Sequence, residues 1–217
     1  MSIRLDDLQN GYLIRQETNH FCFGSDAVLL AHFTRLRKGD TVLDLGTGNG
    51  ILPLLLLPDA PEGVTFTGLE LQEAAAALAG ENAALNHAED RFRVICGDIR
   101  RIENYVPAQS FTVVITNPPY RKAGGGLINP TDAKAIARHE LACSLTDLAH
   151  AASYALKSNG RLYMIHLSER LADVIRTLSE FHLEVKELHF IREAADKPSK
   201  LMLVEAVKGG RPGLKVT

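Results

Sequence analysis

Val42-Leu43-Asp44-Leu45-Gly46-Thr47-Gly48-Asn49-Gly50-Ile51 is an apolar run, interrupted by one acid, that breaks into a glycine turn and leads into a second apolar, helix-compatible stretch. A strand, a tight turn and a helix make the first half of a βαβ unit. Glycines at such a turn let a ligand approach the backbone closely, and a helix start offers free N–H groups. A dinucleotide fingerprint, G-x-G-x-x-G, requires glycine at position 51, where the chain has Ile51; the third glycine arrives one residue early, at Gly50. The turn therefore fits a nicotinamide dinucleotide poorly.

Outward from this stretch the same alternation continues. Short apolar, β-rich runs at 41–45, 64–70, 92–96, 111–116, 160–166, 183–190 and 200–207 predict seven strands. Helical patterns at 50–57, 73–86, 140–157 and 168–180 lie between them and predict crossovers of a mostly parallel sheet. The last two strands are joined only by the polar segment 192–199, too short for a crossover, so one reversed, antiparallel strand is expected at the end of the sheet. The implied class is α/β, with a Rossmann-like seven-stranded sheet. Residues 1–40 form a short N-terminal extension packed on a catalytic domain at 41–217, with a helix at 26–33 capped by Ser25 or Asp26.

With 217 residues, 46% of them hydrophobic, the chain can bury a full core as one domain. A net charge of −2 leaves no global basic field, so a nucleic-acid partner has to be met by a local patch. Cys22, Cys96 and Cys143 are widely spaced and form no C-x-x-C pair, which fits reduced core residues better than a disulfide framework or zinc site. The histidines have no metal-ligand spacing, and no metal is expected. The N-terminus has no signal-like apolar segment and the apolar run at 51–57 is too short to span a bilayer, so a cytoplasmic protein is expected.

The strand–turn–helix resembles motif I of the class I S-adenosylmethionine (SAM)-dependent methyltransferases. That resemblance implies that Asp44, Gly46, Thr47, Gly48, Asn49 and Gly50 line SAM, with S-adenosylhomocysteine as the product. Glu70, followed by Leu71, ends the second strand where a doubly wound fold places a ribose-binding carboxylate; it is equally suited to the N-terminus of the next helix. Asp98, followed by Ile99, matches the family position that reads the adenine amino group, and a plain turn aspartate explains it nearly as well.

Asn117-Pro118-Pro119-Tyr120 closes the fourth strand. Two prolines fix the backbone and remove two N–H donors, so carbonyl oxygens are presented without competing donors. A planar amine or amide nitrogen is a poor nucleophile because its lone pair is delocalised. Acceptors from Asn117 and the Pro118 carbonyl can hold its hydrogens and favour sp3 character, while Tyr120 stacks on the flat group. A rigid turn needs neither the Asn nor the Tyr.

Several segments together resemble the bacterial adenine-N6 methyltransferases that modify adenosine beside the anticodon of a valine tRNA. They are 21–31, Leu69-Glu70-Leu71-Gln72, Ala137-Arg138-His139-Glu140, 197–201 and Lys208-Gly209-Gly210. The resemblance implies a tRNA substrate and no obligate protein partner. The loop 121–139 brings Arg121, Lys122, Lys134, Arg138 and His139 next to Tyr120, suited to phosphates or simply to water. Phe23 could stack on RNA or pack internally. Three other readings stay open: a glutamine N-methyltransferase, a DNA adenine methyltransferase and a non-catalytic SAM-binding protein. The first usually carries a helical N-terminal domain, and the second a target-recognition domain.

Overall fold

The computed structural model describes residues 3–17, 24–118, 143–194 and 196–217. Among these the elements run β1 (Ile3–Asp7), β2 (Leu13–Glu17), α1 (Ser25–Phe33), β3 (Thr41–Leu45), α2 (Ile51–Leu56), β4 (Thr65–Glu70), α3 (Glu73–Leu85) and β5 (Phe92–Cys96). After a 3-10 helix (Ile99–Asn104) follow β6 (Phe111–Thr116), α4 (Leu145–Ala155), β7 (Leu156–Leu167), α5 (Leu171–Glu180), β8 (Leu183–Ile191), β9 (Leu201–Lys208) and β10 (Lys215–Val216).

The main sheet has the order β10-β8-β9-β7-β6-β3-β4-β5. β3 pairs in parallel with both β4 and β6, and β9 alone runs backwards, antiparallel to β7 and to β8. The α/β reading with one reversed strand holds, but β9 lies inside the sheet, between β8 and β7, rather than at its end, and the sheet has eight strands among the described residues rather than seven. The extra one, β10, pairs only Lys215 with Glu187 and Val216 with Leu188. Two exposed residues carry no apolar pattern to announce a strand.

Successive residues of a strand point to opposite faces, and both faces of this sheet are covered. Val42, Phe66, Val113, Tyr163 and Leu203 pack with Ala27 and Leu30 of α1, Leu52 of α2 and Ala79 of α3. Leu43, Leu162, Met164 and Val204 pack on the other side with Leu148 of α4 and Val174 and Leu178 of α5. Each such side chain, fully buried, stabilises the fold by about 1.5–3 kcal/mol before entropy is counted.

A buried ion pair locks the amino ends of the central strands. Arg161 Nη2 donates to Asp40 Oδ2 at 2.6 Å, with both side chains under a tenth exposed. Asp40 Oδ1 also accepts from Thr112 Oγ1 at 2.7 Å, and Arg161 Nη1 donates to the Arg35 carbonyl. One carboxylate thus joins β7, β6 and the segment leading into β3.

Ahead of β3 the structure holds elements that the sequence pattern did not predict. β1 and β2 make an antiparallel hairpin ahead of α1, which the sequence did not signal because its alternation is broken by charged residues. Two asparagines four residues apart, Asn82 on α3 and Asn86 at its C-cap, receive it. Asn82 Oδ1 accepts from Arg15 N and its Nδ2 donates to Arg15 O, while Asn86 treats Leu13 in the same way. Helix α1 has Gly24 as its N-cap, with no side-chain capping bond, so neither Ser25 nor Asp26 caps it; Asp26 lies in the first turn. β7 starts at Leu156, earlier than the expected 160, so the helix expected to reach 157 stops at Ala155. The cysteines also depart from expectation: Cys96 is exposed and Cys143 only partly buried, because β5 is an edge strand and Cys143 precedes the helix start. Cys22 lies outside the described residues.

Candidate active site

In an open parallel sheet, ligands sit beyond the carboxyl ends of the strands, where the strand order reverses. Here that point lies between β3 and β6, and the glycine turn, Glu70, Asp98 and Asn117 all stand at or just beyond strand ends on that edge.

The glycine turn is built by backbone hydrogen bonds. Gly46 N and Thr47 N both donate to the Leu69 carbonyl, at 2.8 and 3.2 Å, and Gly50 N donates to Thr47 O at 2.9 Å. Gly50 precedes α2 at φ +86°, and a Cβ there would lie 2.9 Å from the Phe92 ring, so both conformation and space require glycine. The turn is also held from outside the motif: Asn82 Nδ2 donates to Asn49 O at 2.9 Å.

Two carboxylates back the turn, and they differ in state. Glu70 is buried and satisfied: Oε2 accepts from Gly48 N at 3.0 Å and Oε1 from Gln72 N at 2.9 Å. It fastens the turn to the start of α3. Asp44 is also buried; Oδ2 accepts from Thr47 Oγ1 at 2.7 Å, while Oδ1 is buried and accepts no hydrogen bond from the described residues. Burial pushes the Asp44 carboxyl up to about 7, the Thr47 hydroxyl opposes the shift and the negative charge of Glu70 adds to it. A buried, half-satisfied carboxylate suits a cationic ligand group, and the ammonium and sulfonium of SAM are such groups. The residues present therefore fit that cofactor. Thr47 is itself buried and committed to Asp44, so it acts through that carboxylate.

Asp98 is less open than the sequence implied. It caps the 3-10 helix by accepting from Arg100 N at 2.9 Å, and its oxygens take Arg100 Nε at 3.0 Å and Nη2 at 2.6 Å. The Arg100 hydrogen bond holds its carboxyl below the ordinary range. An incoming amino group has to share this carboxylate with Arg100. Nearby, Leu71 is exposed and Ile99 is buried.

Asn117 stands at the end of β6, where Thr116 Oγ1 donates to Leu45 O at 2.9 Å and pins that strand end against the one carrying the glycine turn. The Asn117 side chain is partly buried, and its Nδ2 donates to Asp26 Oδ2 of α1 at 3.3 Å. Pro118 is buried. Pro119, Tyr120, Phe23, Arg121, Lys122, Lys134, Arg138 and His139 lie outside the described residues.

Sequence reasoning did not find Asn82 or Gly68. Asn82 is fully buried in an alanine-rich helix, and a lone amide there was the available signal. At Gly68 a Cβ would lie 2.7 Å from Thr47 Cγ2, so a glycine inside a strand marks where the turn packs against β4. Among the described residues no His, Cys, Asp or Glu cluster is suited to a metal ion, and no helix is long and apolar enough to cross a membrane.

The sheet order, with its single reversed strand, and the carboxyl-edge turn define the fold of the class I SAM-dependent methyltransferases. A solved structure described as a predicted O-methyltransferase from Agrobacterium tumefaciens matches with TM-score 0.71 and 25% identity, over 88% of this chain and 84% of its own. A SAM-dependent methyltransferase from Aquifex aeolicus shares the fold with TM-score 0.62 at 15% identity, over 84% and 89%. The family described as methyltransferase small domain matches residues 18–189, and the chain belongs to it. Among its curated relatives is a protein of Bacteroides thetaiotaomicron described as a tRNA1(Val) (adenine(37)-N6)-methyltransferase. It is 30% identical over 182 residues, 83% of this chain and 74% of the relative. One of Porphyromonas gingivalis with the same description is 31% identical over 188 residues, 84% of this chain and 72% of the relative.

Proposed function

We propose that this protein is a cytoplasmic enzyme that transfers the methyl group of SAM to N6 of adenine 37 in tRNA1(Val). The observation that carries the reading is the position of Asn117, which directly follows β6 next to Thr116, whose hydroxyl bonds Leu45 O on the strand that leads into the glycine turn. The relatives at about 30% identity carry the tRNA assignment. In this reading residues 1–40 are an extension on a 41–217 methyltransferase domain.

SAM supplies an electrophilic methyl group on a positively charged sulfur. Asp44 would face the cationic part of the cofactor, the turn Gly46–Gly50 would take its amino-acid end, Glu70 with Leu71 would border the ribose, and Asp98 with Ile99 would border the adenine. Asn117 Oδ1 and the Pro118 carbonyl accept the two N6 hydrogens of the substrate adenine, while Pro119 fixes the turn and Tyr120 stacks on the base. With both hydrogens held, the N6 lone pair would be drawn out of conjugation and toward the methyl group that SAM would supply. No strong base is required; the rate comes from holding two reactants in line. Phe23, Arg121, Lys122, Lys134, Arg138 and His139 would meet the RNA around a base turned out of its stack.

Labelled methyl transfer from SAM to total tRNA, total protein and duplex DNA, each from cells lacking the gene, tests the reading. N6-methyladenosine in a valine tRNA is the expected product. Label confined to protein moves the assignment to glutamine methylation, and SAM binding without transfer to any of the three removes the catalytic reading.

A further inference from the structure

Asp26 lies outside the glycine turn and the Asn-Pro-Pro-Tyr motif, yet it reaches the centre of the proposed chemistry. Its two oxygens do different things. Oδ1 accepts from Ala27 N at 3.0 Å, within the first turn of α1, while Oδ2 accepts from Asn117 Nδ2 at 3.3 Å. We propose that Asp26 is a positioning residue for methyl transfer: its carboxylate fixes which edge of the Asn117 carboxamide faces the substrate and strengthens that edge as an acceptor. This rests on the reading of Asn117 as the acceptor for a substrate amine.

The orientation follows from the donor inventory. An ionised carboxylate has no hydrogen to give, so the amide edge turned to Asp26 is the NH2 edge, and the carbonyl edge is committed away from it. Without that partner an asparagine amide can flip end for end. A flipped Asn117 would set its NH2 against a substrate NH2, donor against donor, and hold nothing. Donation to a negative oxygen is also a charge-assisted bond that draws density toward Oδ1, so the same contact improves the acceptor.

Both partners stand on fixed supports. Helix α1 is held to the sheet by buried Ala27, Leu30 and Phe33, packed in one layer with Ile115 of β6 and Tyr163 of β7. Asn117 follows Thr116, whose hydroxyl is bonded to Leu45 O. An acid in the first turn also favours a helix electrostatically, but that service is rendered by charge near the helix start and does not need Oδ2 on Asn117.

Single-turnover transfer of labelled methyl to tRNA from cells lacking the gene, with SAM affinity measured by calorimetry, separates the two roles in D26A, D26N, N117A and the D26A/N117A double variant. We expect D26A to slow transfer by about tenfold or more while SAM affinity stays within about twofold. D26N, which can still offer an oxygen to Nδ2 but no charge, falls between wild type and D26A. In the N117A background D26A has no further effect, because its target is gone. The inference is overturned if D26A transfers within about twofold of wild type while N117A is slow, or if the D26A loss repeats in full on top of N117A. A loss of SAM affinity in both Asp26 variants that matches their loss of rate overturns it as well. If N117A itself turns over normally, the reading of Asn117 fails first and this inference with it.

Discussion

Nδ2 of Asn117 donates to Oδ2 of Asp26 across 3.3 Å, although the two residues are 91 positions apart in the chain. The bond ties α1 to the residue that follows β6, so Asn117 is held both by its strand and by a helix. The same edge carries the half-satisfied Asp44 and the glycine turn, and the following predictions test how these parts depend on one another.

Asp44 makes stability and cofactor binding depend on pH in opposite senses. Its carboxyl is raised from 3.8 to about 7 by burial, so the folded protein binds its proton more tightly than the unfolded chain does. The contribution is present at low pH and is lost as pH rises from about 4 to 7, on the order of 4 kcal/mol in all. His166 acts in the other direction over part of this range: burial lowers it to about 4, so its effect on stability is lost as pH falls through 6.5 toward 4. A difference measurement isolates Asp44. Urea unfolding of wild type and Asp44→Asn between pH 5 and 8 should show the variant losing the downward trend with rising pH, while SAM affinity of the wild type increases over the same range. Parallel pH profiles for the two proteins would count against a protonated buried Asp44.

Asp40→Ala leaves the Arg161 guanidinium buried without its carboxylate, and such a loss costs about 3–5 kcal/mol. The expected result is a lower urea midpoint at an unchanged slope, with SAM affinity preserved in the folded protein, because the pair lies at the amino ends of the strands, opposite the site. Asp40→Asn combined with Arg161→Met should recover part of the loss.

Gly68→Ala tests the support behind the turn. The new methyl group would lie 2.7 Å from Thr47 Cγ2, and Thr47 moves only by giving up its bond to Asp44. Binding should suffer along with stability: SAM affinity is expected to fall about tenfold or more, roughly 1.4 kcal/mol, beside about 1–3 kcal/mol of unfolding free energy. Full affinity in a folded Gly68→Ala protein would separate Thr47 from cofactor binding.

Asn82→Ala removes the amide that bonds Arg15 N, Arg15 O and Asn49 O. Hydrogen exchange at Arg15 should quicken strongly while Leu13, still held by Asn86, changes less. Stability should drop by about 1–3 kcal/mol, the cost of leaving buried backbone groups unpaired.

The primary structure determined the architecture and the chemistry on offer. The apolar runs read as strands because both faces of a parallel sheet are buried, a reversed strand followed from a connection too short for a crossover, and glycine spacing alone argued against a dinucleotide. Local pattern failed where tertiary contacts override it. The β1–β2 hairpin is specified by two asparagine amides, one on α3 and one at its C-cap, β10 by an edge left open on β8, and the true start of β7 by its pairing with Phe111. The site divides in the same way. Residue type and spacing single out Asp44, Glu70 and Asn117 as candidates, and all three stand close to strand ends on one edge of the sheet. Only the packed structure decides that Glu70 is satisfied while Asp44 is not, that Arg100 occupies Asp98, and that Asp26 meets Asn117. Those are facts about which polar groups lie within hydrogen-bond reach after the layers close, and neighbours in space that are distant along the chain leave no local trace in the sequence.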